Sequence, residues 1–154
     1  MDYIFDSIFT SPEQTATEEG TKLTGLAFFI DYICELEGAK TKIKNLHWAA
    51  KTLPVSDKRG THLYLDDFLG IVGDFQDTVA ESSQGILGEM SAASVKGKEL
   101  PCITPKELVG YLLVKTISFY ENIPEETVYV GIKSETETFI KELTKYKYLF
   151  RLAE

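Results

Sequence analysis

The stretch HLYLDDFLGIVGDFQDTVAE, residues 62–81, decides how this chain is read. It lies inside a helical pattern running from about Thr61 to Gly85. At ~100° per residue, His62, Asp66, Asp77 and Glu81 point to about 0°, 40°, 60° and 100°, so all four share one narrow face. A bundle helix turns an apolar face to its neighbours, and four ionisable groups on one face demand a reason. One reason is a plain solvated surface. The other is metal, because neutral imidazole with carboxylates is a ligand set for iron, zinc or manganese.

Length constrains the second reading. Asp66 and Asp77 lie about 16 Å apart along a helix axis at ~1.5 Å per residue, too far for one ion to reach both. A site using all four groups therefore needs two copies of the helix, crossing antiparallel, so that His62 and Asp66 of one meet Asp77 and Glu81 of the other. Gly70 and Gly73 sit symmetrically about the midpoint of the 62–81 span and on the same face. Glycine inside a helix costs about 1 kcal/mol relative to alanine, and close backbone approach is the usual return. A two-fold axis at this point gives an isologous dimer with two identical sites. Tight packing of the glycines within the chain's own bundle is the competing explanation.

Working outward, residues 21–50 place Leu23, Leu26, Ile30, Ile33, Ile43 and Leu46 at three- and four-residue spacing, one long amphipathic helix. Residues 51–60, with Pro54, Ser56, Asp57 and Gly60, read as a loop. A long irregular connection follows the second helix from Ile86 to Ile103. Thr104-Pro105-Lys106-Glu107 reads as the start of a third helix, which Pro124 ends near Asn122. A fourth runs through Phe139, Leu143, Tyr146 and Leu149, and both Asn122–Glu125 and Ser134–Glu137 are capping-box patterns that could begin it. The expectation is an all-α antiparallel four-helix bundle over residues 21–154, with a long connection between helices two and three. Residues 1–20, carrying Tyr3, Phe5 and Phe9 among Ser, Pro, Thr and Glu, read as an irregular arm.

Composition agrees with one ordinary globular domain: 154 residues, 44% hydrophobic and 26% charged. No apolar run approaches the ~18 residues that span a bilayer. Two cysteines, Cys34 and Cys102, build neither a CxxC pair nor a four-thiolate site, and a reduced cytoplasmic chain is the simplest expectation. The front of the chain has neither the positive start nor the apolar stretch of a secretory signal. No Ser, His and Asp array at helical spacing suggests a hydrolase. The Glu-x-x-His signature of intrachain di-iron bundles is absent, because Lys44 and Arg59 stand three residues before His47 and His62.

Asn45-Leu46-His47-Trp48, followed by His62, Asp66, Asp77, Ala80 and Glu81, resembles the Dps family of mini-ferritins. In that family a His-Trp pair ends the first helix, and H-x3-D-x10-D-x2-A-E runs along the second. Tyr148-Leu149-Phe150-Arg151-Leu152 is similar to the family's final segment. The resemblance implies a ferritin-like four-helix subunit, a homo-oligomer closing as a hollow dodecamer, and oxidation of Fe(II) by hydrogen peroxide or oxygen, with ferric iron stored inside as protection against peroxide and iron stress. It places His47, His62 and Asp66 in one half-site, Asp77 and Glu81 in the neighbour's, and Trp48 beside the centre. The stretch between the two histidines is longer than the family's and lacks its aromatic-rich pattern. The other class of function is a non-catalytic assembly or adaptor module built on the same bundle.

Asp67 and Asp74 form a second acidic strip, for which a solvated face is the simpler reading and a mineral-nucleating cavity wall the alternative. Lys141, Lys145, Lys147 and Arg151 spread along the last helix with Glu142 among them, a pattern of solubility and assembly contacts. The net charge is -8 and residues 1–21 contain no Lys or Arg, so counterion release from phosphate is small. Duplex DNA at about 150 mM salt, without added divalent metal, should show no retarded band on mixing with this protein. A retarded band would count against this reading of the charge.

Overall fold

A computed structural model describes residues 22–102 and 104–154, and the expected N-terminal arm lies outside them. Four helices make up the fold: α1 (Gly25–Trp48), α2 (Lys58–Leu87), α3 (Pro105–Asn122) and α4 (Val130–Ala153). Short 3-10 turns at Ala50–Thr52 and Thr127–Tyr129 lead into the second and fourth, and no strand occurs among the described residues. None of these helices is long and apolar enough to cross a membrane.

The helix starts have identifiable causes. Thr104 is the N-cap of α3, its Oγ1 accepting from the Glu107 amide at 3.1 Å, with Pro105 in the first turn. Asp57 caps α2 by accepting from the Gly60 amide at 2.8 Å. That cap begins α2 at Lys58 and so corrects the expected loop, which ran to Gly60. At the other end α2 stops at Gly88, whose φ of 99° is costly for any residue with a Cβ. Neither capping box proposed for the fourth helix is used. Val130 begins α4 after Tyr129, which is buried and stacks on Phe29 with ring centroids 5.8 Å apart. Ser134 therefore lies inside the helix, while Ile123 is held extended before Pro124.

The directions follow from the side-chain pairs. His47 meets His62 and Ile33 meets Gln76, so α1 and α2 are antiparallel. Tyr32 meets Thr116 and Glu35 meets Tyr111, so α3 also runs against α1. Phe68 meets Tyr146 and Phe75 meets Phe139, so α4 runs against α2. Hence α2 and α3 are parallel, and residues 88–102 return the chain along the bundle. The core is drawn from all four helices, with Leu36, Ile43, Leu65, Val72, Leu112 and Leu143 fully buried. One polar group enters the α1/α2 seam: Gln76 donates to the Ile33 carbonyl at 3.3 Å and to Glu37 Oε1 at 2.9 Å, and accepts from Lys40 Nζ at 2.8 Å.

Replacing Leu112 by Ala should cost about 2–5 kcal/mol, because its site is fully enclosed. Thr104→Ala should cost only about 1 kcal/mol, the worth of one N-cap. Urea unfolding of the two variants beside the parent checks the ranking, and equal losses would contradict the assigned core and cap.

Candidate metal centre

His47 lies in the last turn of α1 and His62 one turn into α2, so the antiparallel hairpin brings the two rings together. They stack with centroids 3.9 Å apart and planes 21° from parallel. Their polar contacts are reciprocal. Nδ1 of His47 lies 3.1 Å from the carbonyl oxygen of His62, and Nδ1 of His62 lies 3.2 Å from the carbonyl oxygen of His47. A carbonyl only accepts, so both Nδ1 atoms must carry the hydrogen. In the neutral rings this leaves both Nε2 lone pairs available, which is how a ligating histidine is held ready by its other nitrogen.

Asp66 is exposed one turn beyond His62 on α2, and Asp77 and Glu81 are exposed farther along the same helix. The structure thus unites His47 with His62 and leaves Asp77 and Glu81 remote from them. Among the described residues, no three His, Cys, Asp or Glu side chains of one chain converge to hold a metal ion. Of the three expected in one half-site, the two histidines are brought together and Asp66 does not join them as a third member of such a group.

Gly70 and Gly73 have no packing role among the described residues. A Cβ built on Gly70 or Gly73 meets no heavy atom of the described residues within 4 Å, so packing among those residues does not account for them. Trp48 is 74% exposed and Leu63 50%, so neither is packed into the core. Asp67 and Asp74 are exposed as well. Burial, helped by the Asp67 and Glu142 carboxylates, raises the Tyr146 hydroxyl above its usual range.

The ring stack and its reciprocal carbonyl bonds were not visible in the sequence. The available signal was the placement of one His near each end of a short connection between two helices. A second polar cluster was missed altogether: the buried Glu35 carboxylate accepts from Tyr111 Oη at 2.8 Å and from Lys98 Nζ at 3.1 Å. These residues lie on α1, α3 and the 88–102 connection, and no spacing rule links them.

Nitrogen NMR of the two imidazoles at about pH 8, where the unperturbed ring is neutral, should find both as the Nδ1–H tautomer. A majority Nε2–H form at either ring would remove the ready lone pair. No family model, no curated protein and no solved structure matches this chain.

Proposed function

We propose that the chain is a Dps-like, ferritin-like iron oxidase and store, working at sites shared by two copies across a two-fold axis. The observation that carries this reading is the histidine pair, with each Nδ1 tied to a backbone carbonyl so that each neutral ring keeps its lone pair on Nε2. His47, His62 and Asp66 form one half-site, and Asp77 and Glu81 of the partner subunit complete it. The bare backbone at Gly70 and Gly73 supports close approach of the two α2 helices.

Ring geometry bears on how the substrate iron sits. A metal binds an imidazole in the ring plane at about 2.0–2.1 Å from nitrogen. Two near-parallel planes with centroids 3.9 Å apart share no such point. Each histidine therefore serves its own iron position, His62 together with Asp66 and His47 beside it, with carboxylates of the partner subunit bringing negative charge to both. Such a pair suits a two-electron oxidant. Two Fe(II) ions give one electron each to one hydrogen peroxide, the O–O bond breaks, and two hydroxides form beside two Fe(III). With dioxygen as oxidant, further electrons are needed from further Fe(II). Trp48, exposed next to His47, stands beside the centre and is assigned no ligand role.

Storage in a hollow shell, a dodecamer in the family that the motif resembles, rests on that resemblance. Exposed Asp67 and Asp74 supply a carboxylate surface for the ferric product if they face the interior. A non-catalytic assembly module is what remains if iron is neither bound nor oxidised.

The test is complementation. A variant with His62→Ala and Asp66→Ala, and another with Asp77→Ala and Glu81→Ala, should each fold and oxidise almost no Fe(II) alone. Co-expressed, random pairing makes about half the dimers mixed, each with one intact site of two, so recovery should approach about a quarter of the parent rate. Verified mixed dimers without recovered oxidation would overturn the shared site, and parent-like oxidation by either variant alone would overturn the ligand assignment.

A further inference from the structure

Between Leu87 and Pro105 no helix or strand occurs among the described residues. A connection of this length without secondary structure is uncommon in a compact domain, so its order must come from what it lies against. It lies along α1. The Lys98 amide donates to the Cys34 carbonyl at 3.1 Å, and the Cys34 thiol faces the Ser94 carbonyl at 3.8 Å. Gly38 admits the close approach: a Cβ there would fall 1.9 Å from the Lys98 carbonyl oxygen. Farther along, Leu100 and Cys102 are buried.

Charge fixes the same segment. Lys98 Nζ reaches Asp31 Oδ1 at 2.7 Å and Glu35 Oε2 at 3.1 Å, carboxylates one turn apart on α1. Glu35 is only 7% exposed, and its remaining cation, Lys115, stands at 3.9 Å. Withdrawing Lys98 would leave a buried carboxylate with Tyr111 and one distant ammonium, a costly arrangement. Two of the bundle's seams are made of other residues, α1 meeting α2 through Gln76 and the histidines and α2 meeting α4 through stacked aromatics, while the α1/α3 seam shares Glu35 with the segment through Tyr111.

We propose that residues 88–99 form a strap that docks on α1 and lifts from it as one unit, pivoting ahead of the core-buried Leu100, with the Lys98 ammonium as its latch. Loss of that charge opens the strap while the four helices stay packed, and opening exposes further the half-buried Cys34. The inference is independent of the iron reading, since neither Lys98 nor Glu35 belongs to the proposed centre.

Two readouts test it on the full chain: maleimide labelling of Cys34, located by peptide mapping, and amide hydrogen exchange. In the parent, strap amides including Lys98 should exchange ahead of those in α2 and α4, and Cys34 should label slowly. Lys98→Met, which keeps the stem and removes the charge, should speed Cys34 labelling by about tenfold or more, as expected for breaking a buried ion pair. Gly38→Ala should lift the strap with the ammonium intact and speed labelling likewise, which keeps the test alive if the first variant folds poorly. In both, α2 and α4 amides should hold parent rates. Unchanged Cys34 labelling in a folded Lys98→Met protein would overturn the latch. Strap amides that exchange only in step with α2 and α4 would overturn the separate unit.

Discussion

The Gln76 carboxamide, wedged between α1 and α2, sets the register on which the proposed centre depends. Its two donors and its acceptor all find partners on α1, in Ile33, Glu37 and Lys40. Sliding one helix past the other by a turn, about 5.4 Å, would forfeit all three bonds and bury an unsatisfied amide. The same slide would part His47 from His62, whose mutual carbonyl bonds tolerate no such displacement. Glu37 records the bond as well, its carboxyl held below the usual range first by the Gln76 hydrogen bond, which outweighs the rise from burial, and then by Lys40. A polar residue at a buried position thus specifies how the hairpin aligns, while the surrounding apolar side chains supply most of the cohesion.

The architecture was legible because its signals are local and periodic. Thr104-Pro105-Lys106-Glu107 announces a helix start within four residues, and the structure uses both the cap and the proline. Asp57 carried the same kind of signal but stood among loop-forming neighbours, so the start of α2 was placed late. The fourth helix misled because capping boxes are common in sequence, whereas its true start is set by Tyr129 packing on Phe29, a contact between residues a hundred positions apart. Helical spacing likewise put His62, Asp66, Asp77 and Glu81 on one face. It had no means of showing that His47 would lie flat against His62, because that depends on the angle at which two helices meet.

The outer side of α2 is unusual in what it omits. Opposite the buried stripe of Leu65, Phe68, Val72 and Val79, the helix carries carboxylates, an imidazole and two glycines with no described residue above them. A helix surface kept free of side chains in its middle and charged towards both ends is ill suited to closing a core and well suited to meeting an equal. Repulsion between two such surfaces, on a chain of net charge -8, would oppose that meeting unless cations lie between them. The acidity of the face and the proposed substrate are therefore complementary: the iron would supply the attraction that the bare protein lacks.

The parallel course of α2 and α3 has a bearing on how the chain finds its shape. α1 with α2, and α3 with α4, are hairpins of neighbouring segments, closed by short turns at little entropic cost. Nothing so local joins one hairpin to the other, since the chain must first run back the length of the bundle between Leu87 and Pro105. Contacts within each hairpin are closer in sequence than those between the hairpins, and non-local contacts of that kind are the ones that slow folding. A return path too short to run back along the bundle would exclude the parallel arrangement, and an unpaired hairpin presents the same apolar face to the complementary hairpin of a second molecule as to its own, the condition for exchange of hairpins between copies.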